Sequence, residues 1–324
     1  MAMLSRRQFG GALMAGLPLA AVMRSVGLSA ADLRIGVTTS SFRDLPRVTG
    51  RDNLREVMRA LEAVHASHIE LAFANLEPAP PSTVPVMGGS AAYPRRIVLT
   101  PEQVAATNSE AREELRSWRL NAPVKGFETF RGMLASARLT VHACSLAYND
   151  SFSDDEIDRT LLQAKALGVT TVSSPLTMAM ARRLVPFAKR HQVSIAIHNQ
   201  VDGNPDRAID TPALKEALAL SPAFTLKFDA GNVTASNRDA VAELREHRSR
   251  VSYVVVRDRL RNGGASQPFG EGDTPIRNVL ALAGTPPAVP VFIEYDYVGL
   301  RSPVEELKAS LAYCRTATTT TSSR

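Results

Sequence analysis

The sequence predicts an α/β protein: a single-domain (β/α)8 TIM barrel preceded by an N-terminal export signal. Three observations point there. Short β-branched or apolar runs alternate eight times with longer amphipathic stretches across residues 32–315, the repeat expected of a parallel barrel. These runs tend to begin apolar and end polar, as barrel strands do when chemistry gathers at their C-terminal ends. No Gly-x-Gly-x-x-Gly or phosphate-loop pattern follows any of them, which leaves doubly wound nucleotide folds without their usual signature.

The chain opens on Ser5-Arg6-Arg7-Gln8-Phe9, a twin-arginine pattern, followed by an uncharged stretch over 10–23 and small residues at Ser29, Ala30 and Ala31. A basic start, a short apolar middle and a small-residue exit describe a cleavable signal over 1–31, too short for a stable membrane anchor. A buried helix there would have to place Arg6, Arg7 and Arg24 around a Gly-rich stretch. The expected partner is the twin-arginine export machinery, and the expected location is the periplasm or beyond.

The barrel elements then follow in order. A strand over 33–37 is returned by a helix over 54–64, and a second strand lies at 68–71. The segment 77–119 is longer than a barrel needs; its opening prolines (Pro78, Pro80, Pro81, Pro85) suit a loop covering the barrel mouth before a helix over 107–119. A helix over 124–137 leads into the third strand, 139–143. Ser153 and Glu156 stand at capping-box spacing ahead of a helix over 154–167. Strands at 170–173 and 194–198 are returned by helices over 178–191 and 212–220. Strands at 224–229 and 251–256 are returned by helices over 239–245 and 275–283. The eighth strand is 291–294 and the last helix 303–313, with Ser302 and Glu305 again at capping-box spacing. Pro212, Pro275 and Pro303 each follow Ser or Thr, which suits Pro at a first helical position. The polar, Thr-rich end over 316–324 is expected to be a disordered tail.

Composition excludes some functions. The formal charge of +6 falls to +3 once the three arginines of the signal are set aside, and no Lys/Arg run with interleaved aromatics appears. A nucleic-acid surface is therefore not indicated. Cys144 and Cys314 stand far apart without metal-type spacing and read as two buried free thiols.

Strand alternation places the candidate site. Ala196, His198 and Gln200 share one face of the fifth strand, Thr225, Lys227 and Asp229 one face of the sixth, and Phe292, Glu294 and Asp296 one face of the eighth. If these faces point inward, His198, Asp229 and Glu294 converge, with Gln200 and Lys227 nearby. Two carboxylates and an imidazole can hold a divalent cation or work directly as acid and base. A buried ion-pair network, with Lys227 neutralising Asp229 or Glu294, is the competing reading. The run Arg257-Asp258-Arg259-Leu260-Arg261 reads either as a solvated, partly ion-paired loop or, with Arg257 inward by the same alternation as Tyr253 and Val255, as placing Arg257 to bind an anionic or hydroxylated substrate. His142 falls between core and pocket; His65, His68, His191 and His247 read as structural.

At these residues the chain resembles the sugar phosphate isomerase/epimerase family, the xylose isomerase-like TIM barrels, and above all its twin-arginine-exported branch. The resemblance rests on Ile69-Glu70-Leu71, Leu76-Glu77-Pro78, Tyr148-Asn149-Asp150, Ile197-His198-Asn199, Phe228-Asp229, Arg257-Asp258-Arg259, the run from Gly270 to Ile276, and Ile293-Glu294-Tyr295. It implies a carbohydrate substrate and a divalent metal (Mn, Co, Mg or Zn) on His198, Asp229 and Glu294, polarising a carbonyl or enediolate oxygen. Four imidazoles of that pattern are replaced, by Gln200, Tyr253, Val255 and Asn75. Gln200 and Asn75 keep an oxygen donor; Val255 has none.

Two functions remain in play. One is an exported enzyme that isomerises, epimerises or eliminates next to a carbonyl of a sugar or oxidised glycoside. Its catalytic residues would be Glu294, Asp229, His198 and Lys227, and its substrate-binding residues Gln200, Asn75, His142, Tyr253 and Arg257. The other is a non-catalytic carbohydrate-binding barrel that has lost its metal. An abasic-site endonuclease on the same barrel is disfavoured, because it needs a basic DNA surface.

Overall fold

A computed structural model describes residues 33–79, 101–201, 209–297 and 301–319. The expected export signal, the Pro-rich opening at 80–100 and the last five residues lie outside them. Among the described residues, no helix is long and apolar enough to cross a membrane.

In chain order the elements are β1 (Ile35–Thr38), α1 (Leu54–Ala63), β2 (His68–Ala72), α2 (Pro101–Asn121), α3 (Val124–Ser136), β3 (Thr140–Ser145), α4 (Asp154–Ala166), β4 (Thr171–Ser174), α5 (Met178–His191) and β5 (Ser194–His198). There follow α6 (Leu214–Ala219), β6 (Phe224–Asp229), α7 (Ala230–Ala235), α8 (Ala240–His247), β7 (Val251–Val256), β8 (Asp258–Arg259), β9 (Ser266–Gln267), α9 (Ile276–Gly284), β10 (Val291–Ile293) and α10 (Pro303–Thr319). Strands β1 to β7 and β10 close into a parallel barrel in the order β1-β10-β7-β6-β5-β4-β3-β2. The (β/α)8 fold is thus present, with every expected strand in place. β8 and β9 form a separate antiparallel hairpin.

The apolar periodicities explain the layers. Outward residues such as Val172, Ile195, Ile197, Leu226, Phe228, Val254 and Val256 pack under the helices, whose buried residues include Leu61, Leu161, Leu184, Leu244 and Leu280. Inward residues form a second, smaller apolar cluster of Ala143, Ala196, Tyr253, Val255 and Phe292. This is the side-chain-filled interior of a barrel of this size.

Several boundaries shift for local reasons. Ser153 Oγ accepts the Glu156 amide at 3.1 Å while Glu156 Oε2 accepts the Ser153 amide at 2.9 Å, a complete capping box. Ser302 and Glu305 repeat it at 3.3 and 2.9 Å, and α10 starts at Pro303 as expected. Pro212 and Pro275 do not open helices: α6 begins at Leu214, after Ala213, and α9 begins at Ile276, since Pro275 holds ψ at 59°, outside the helical range. α10 runs to Thr319, into the stretch expected as a tail, since Leu307, Leu311, Cys314 and Ala317 continue one buried stripe. Both cysteines are buried and unbridged.

Candidate active site at the barrel mouth

Asp229 is the hub of the site. It ends β6 and caps α7, its Oδ1 accepting the Asn232 amide at 2.9 Å. Asn199 locks this turn to β5: its Oδ1 accepts the Asp229 amide at 2.7 Å and its Nδ2 donates to the Asp229 carbonyl at 3.1 Å. The Asn232 side chain donates to the Asn199 carbonyl at 2.9 Å. The last turns of β5 and β6 are therefore held rigidly, with Asp229 fully buried.

Two groups meet on Asp229 Oδ2. His198 Nε2 lies 3.1 Å away, and an Arg257 guanidinium nitrogen donates to the same oxygen. That nitrogen also reaches Asn232 Oδ1 at 2.8 Å, while the other terminal nitrogen reaches Asp296 Oδ2 at 2.5 Å. Gly231 makes room for this arm: a Cβ there would sit 2.9 Å from the Arg257 carbonyl oxygen and 3.0 Å from its Cβ. Burial alone would raise the Asp229 carboxyl; the Arg257 charge, with His198 and the Asn232 amide, holds it well below the usual carboxylate range. Burial and the Lys227 charge outweigh Asp229 and Glu294 at His198, so its pKa is lowered and the ring is neutral near pH 7.

Glu294 sits one residue beyond β10. Its Oε1 accepts Ser40 Oγ at 3.0 Å and lies 3.8 Å from Arg43. Its Oε2 is buried and has no hydrogen-bond partner among the described residues, as is true of Asp296 Oδ1 and Arg257 Nε. The inward alternation thus brings His198, Asp229, Arg257, Glu294 and Asp296 to one end of the barrel.

Other expected site residues are placed differently. Lys227 does not neutralise Asp229 or Glu294; its ammonium lies 2.8 and 2.9 Å from the two carboxylate oxygens of Glu70. Tyr253 donates its hydroxyl to Glu70 Oε1 at 2.5 Å, and Ser173 adds a bond of 2.7 Å. These four residues form a closed polar layer inside the barrel beneath the mouth, with Lys227 and Tyr253 both bonded to Glu70. His142 lies toward the opposite, N-terminal end. Its Nε2 is 3.0 Å from Nδ1 of His68, the first residue of β2, and its ring tilts against Phe292 at 5.6 Å between centroids. His142 is therefore half-buried at that end of the barrel, away from the mouth. Asn75 is buried, taking the Thr39 hydroxyl at 2.5 Å and donating to Asn53 at 3.2 Å, which ties the loop after β2 to the start of α1. Gln200 turns its amide back onto the carbonyls of His198 and Asn199, at 3.2 and 3.3 Å.

Glu70 is the residue that sequence reasoning passed over as a candidate. Its signal was present, a single carboxylate in the middle of an apolar strand, Ile69-Glu70-Leu71. The run from Gly270 to Ile276 has a structural role here: the Asp258 carboxylate gathers the amides of Gly270, Gly272 and Thr274 at 2.7, 3.1 and 3.1 Å.

The residues at the mouth do not fit a divalent cation as arranged. Both oxygens of Asp229 already accept donors, one of them from a guanidinium. Among the described residues, the group with three donor atoms within 4.8 Å of one another is Glu243, Glu246 and His247, on the outer helix α8. There Glu246 is paired with Lys215 at 2.5 Å and Glu243 with Arg238.

No protein-family model matches the sequence, and no curated protein does either. Solved structures do match the fold. An L-ribulose 3-epimerase shares 12% identity over 89% of this chain and 95% of its own, with a TM-score of 0.58. A sugar phosphate isomerase/epimerase from Parabacteroides distasonis shares 12% over 92% and 98%, with a TM-score of 0.55. A 3-keto-D-glucoside 4-epimerase from E. coli shares 12% over 88% and 99%, with a TM-score of 0.54. At such identity the likeness is one of fold: this chain forms a (β/α)8 barrel of the kind on which those sugar isomerases and epimerases are built.

Proposed function

We propose that the protein is an exported enzyme that moves a proton at a carbon beside a carbonyl of a sugar or oxidised glycoside, without a divalent metal at Asp229. One observation carries the reading: Glu294 Oε2 is a buried carboxylate oxygen at the barrel mouth with no partner among the described residues. A polar atom so placed is costly unless a ligand completes it. Glu294 is the base in this reading. The C–H proton passes to its carboxylate and the electron pair moves onto the carbonyl oxygen, giving an enediolate. Arg257 lies beside the Asp229 end of the cluster and offsets the negative charge that develops. His198, its Nε2 directed at Asp229, presents its other ring nitrogen as a second acid/base group from β5, so a proton can return on the opposite face. The neighbours named as epimerases support the substrate class, the keto-glucoside enzyme in particular. Export rests on Ser5-Arg6-Arg7-Gln8-Phe9.

The test is hydrogen exchange. Reducing sugars and 3-keto glycosides incubated with the protein in deuterated water should lose the C–H signal next to the carbonyl, followed by NMR. Glu294→Gln should slow this by at least ~100-fold while binding persists. A second reading, a carbohydrate-binding barrel without turnover, is favoured by one feature: Lys227 and Tyr253 are both committed to Glu70. Saturable sugar binding with no exchange on any bound sugar would put that reading first. For export, replacing Arg6 and Arg7 by Lys together should retain a fused reporter inside the cell; a reporter still exported would remove the twin-arginine assignment.

A further inference from the structure

Three carboxylates stand at the mouth beyond two barrel strands: Asp229 at the end of β6, and Glu294 and Asp296 just past the end of β10. β7 runs between β6 and β10, and the residue that follows it is Arg257. The arm of Arg257 crosses this gap, one terminal nitrogen on Asp229 and Asn232, the other on Asp296. Its side chain is only 11% exposed, and Asp229 is 0% exposed. Carboxylates cannot remain ionised at such burial without a cation in contact. Each oxygen of Asp229 is also spoken for, Oδ1 by the Asn232 amide and Oδ2 by His198 and Arg257.

We propose that the Arg257 guanidinium is the resident cation of this site, that it excludes divalent ions from Asp229, and that vacating it converts the cluster into a divalent-cation site. The donors at hand are His198 Nε2 and Asp229 Oδ2, 3.1 Å apart, with the Glu294 and Asp296 carboxylates across Arg257. With the guanidinium in place these do not form a set of three within 4.8 Å of one another, and its removal lets them close on Mn²⁺, Co²⁺ or Zn²⁺. The strand that carries Arg257 supports this. Val255, its inward predecessor, has no donor atom and is fully buried, so β7 contributes a tethered charge and no metal ligand. The inference is independent of the proposed reaction, because its readout is metal binding rather than turnover.

The experiment is thermal unfolding and calorimetric titration of the full chain with each of the three ions. All proteins carry His247→Gln, which removes the outer cluster on α8. With Arg257 intact, none of the ions should move the midpoint. Arg257→Met should gain a rise of about 5 °C or more at ~100 times the dissociation constant. That rise should vanish when Asp229→Asn is added. Arg257→Lys, which keeps a charge at the same place, should stay silent. A metal-induced rise in the protein with Arg257 intact that is lost on Asp229→Asn would overturn the proposal. So would a folded Arg257→Met protein that titrates none of the ions. Should Arg257→Met fail to fold, Arg257→Gln takes its place in the same comparison, and metal binding at Asp229 in the intact protein or in Arg257→Lys still sinks the idea.

Discussion

Lys227 Nζ lies 2.8 and 2.9 Å from the two carboxylate oxygens of Glu70, an ion pair closed across the barrel interior by residues 157 positions apart in sequence. Glu70 is fully buried and Lys227 nearly so. Burial alone would raise the Glu70 carboxyl, but the Lys227 charge, with bonds from Tyr253 and Ser173, holds it below its usual range.

Removing one member of this pair leaves a buried charge uncompensated. Glu70→Met and Lys227→Met are each expected to cost about 3–5 kcal/mol. The double variant Glu70→Met/Lys227→Met should cost clearly less than the sum, because no unpaired charge remains. Urea unfolding of the four proteins measures the coupling. Additive losses would mean that the two charges do not stabilise each other.

Gly36 is expected to be intolerant of any side chain. A Cβ at this position of β1 would lie 2.1 Å from the backbone oxygen of His68 on the neighbouring strand. Neither backbone can move without breaking the barrel ladder, in which Val37 pairs with Ile69. Gly36→Ala should destabilise by about 1–3 kcal/mol or more, as overpacking does. A midpoint unchanged in thermal unfolding would contradict this packing.

The His68–His142 pair gives the fold an acid-sensitive element. Burial first, then the nearby His68 and Arg34 charges, lowers His142 to about 4. A histidine whose folded pKa is lowered binds fewer protons folded than unfolded between the two values. Its contribution is therefore fully present above the unfolded value of about 6.5 and is lost as pH falls toward about 4. Stability should decline over that window, and His142→Gln should flatten the slope. Asp229 and Glu70, both held below the usual carboxylate range, add losses only at lower pH, once it drops beneath the unfolded carboxylate values. Denaturant midpoints at half-unit pH steps separate the two windows. A slope unchanged in His142→Gln would assign the loss to other groups.

Much of the architecture was legible in the linear chain. Eight apolar runs, the turn and cap chemistry at Ser153 and Ser302, and the period-2 alternation in β5, β6, β7 and β10 were enough to name the barrel and to aim His198, Asp229, Arg257 and Glu294 at one end. These are local properties, set by backbone pleat and by the affinity of apolar side chains for one another, so they can be read from neighbours in sequence. The short elements α7 and β8–β9 escaped, because they depend on Asp229 and Asp258 drawing backbone amides toward a carboxylate.

Which polar group answers which could not be read that way. Alternation states that Lys227 points inward, but only barrel closure decides whether it meets Asp229, two residues on, or Glu70, on a strand across the interior. His142 faced the same ambiguity and lies half-buried beside His68, at the start of β2. Arg257 was open between a solvated loop and an inward position; it is inward, and its reach to both Asp229 and Asp296 follows from the order of β6, β7 and β10. Electrostatic partners are chosen by distance in a low-dielectric interior, where a contact of about 3 Å outweighs any sequence proximity. Local patterning thus settles the barrel and the end at which its polar residues gather, while closure of the barrel brings the Arg257 guanidinium into contact with Asp229 and Asp296 to balance their charge.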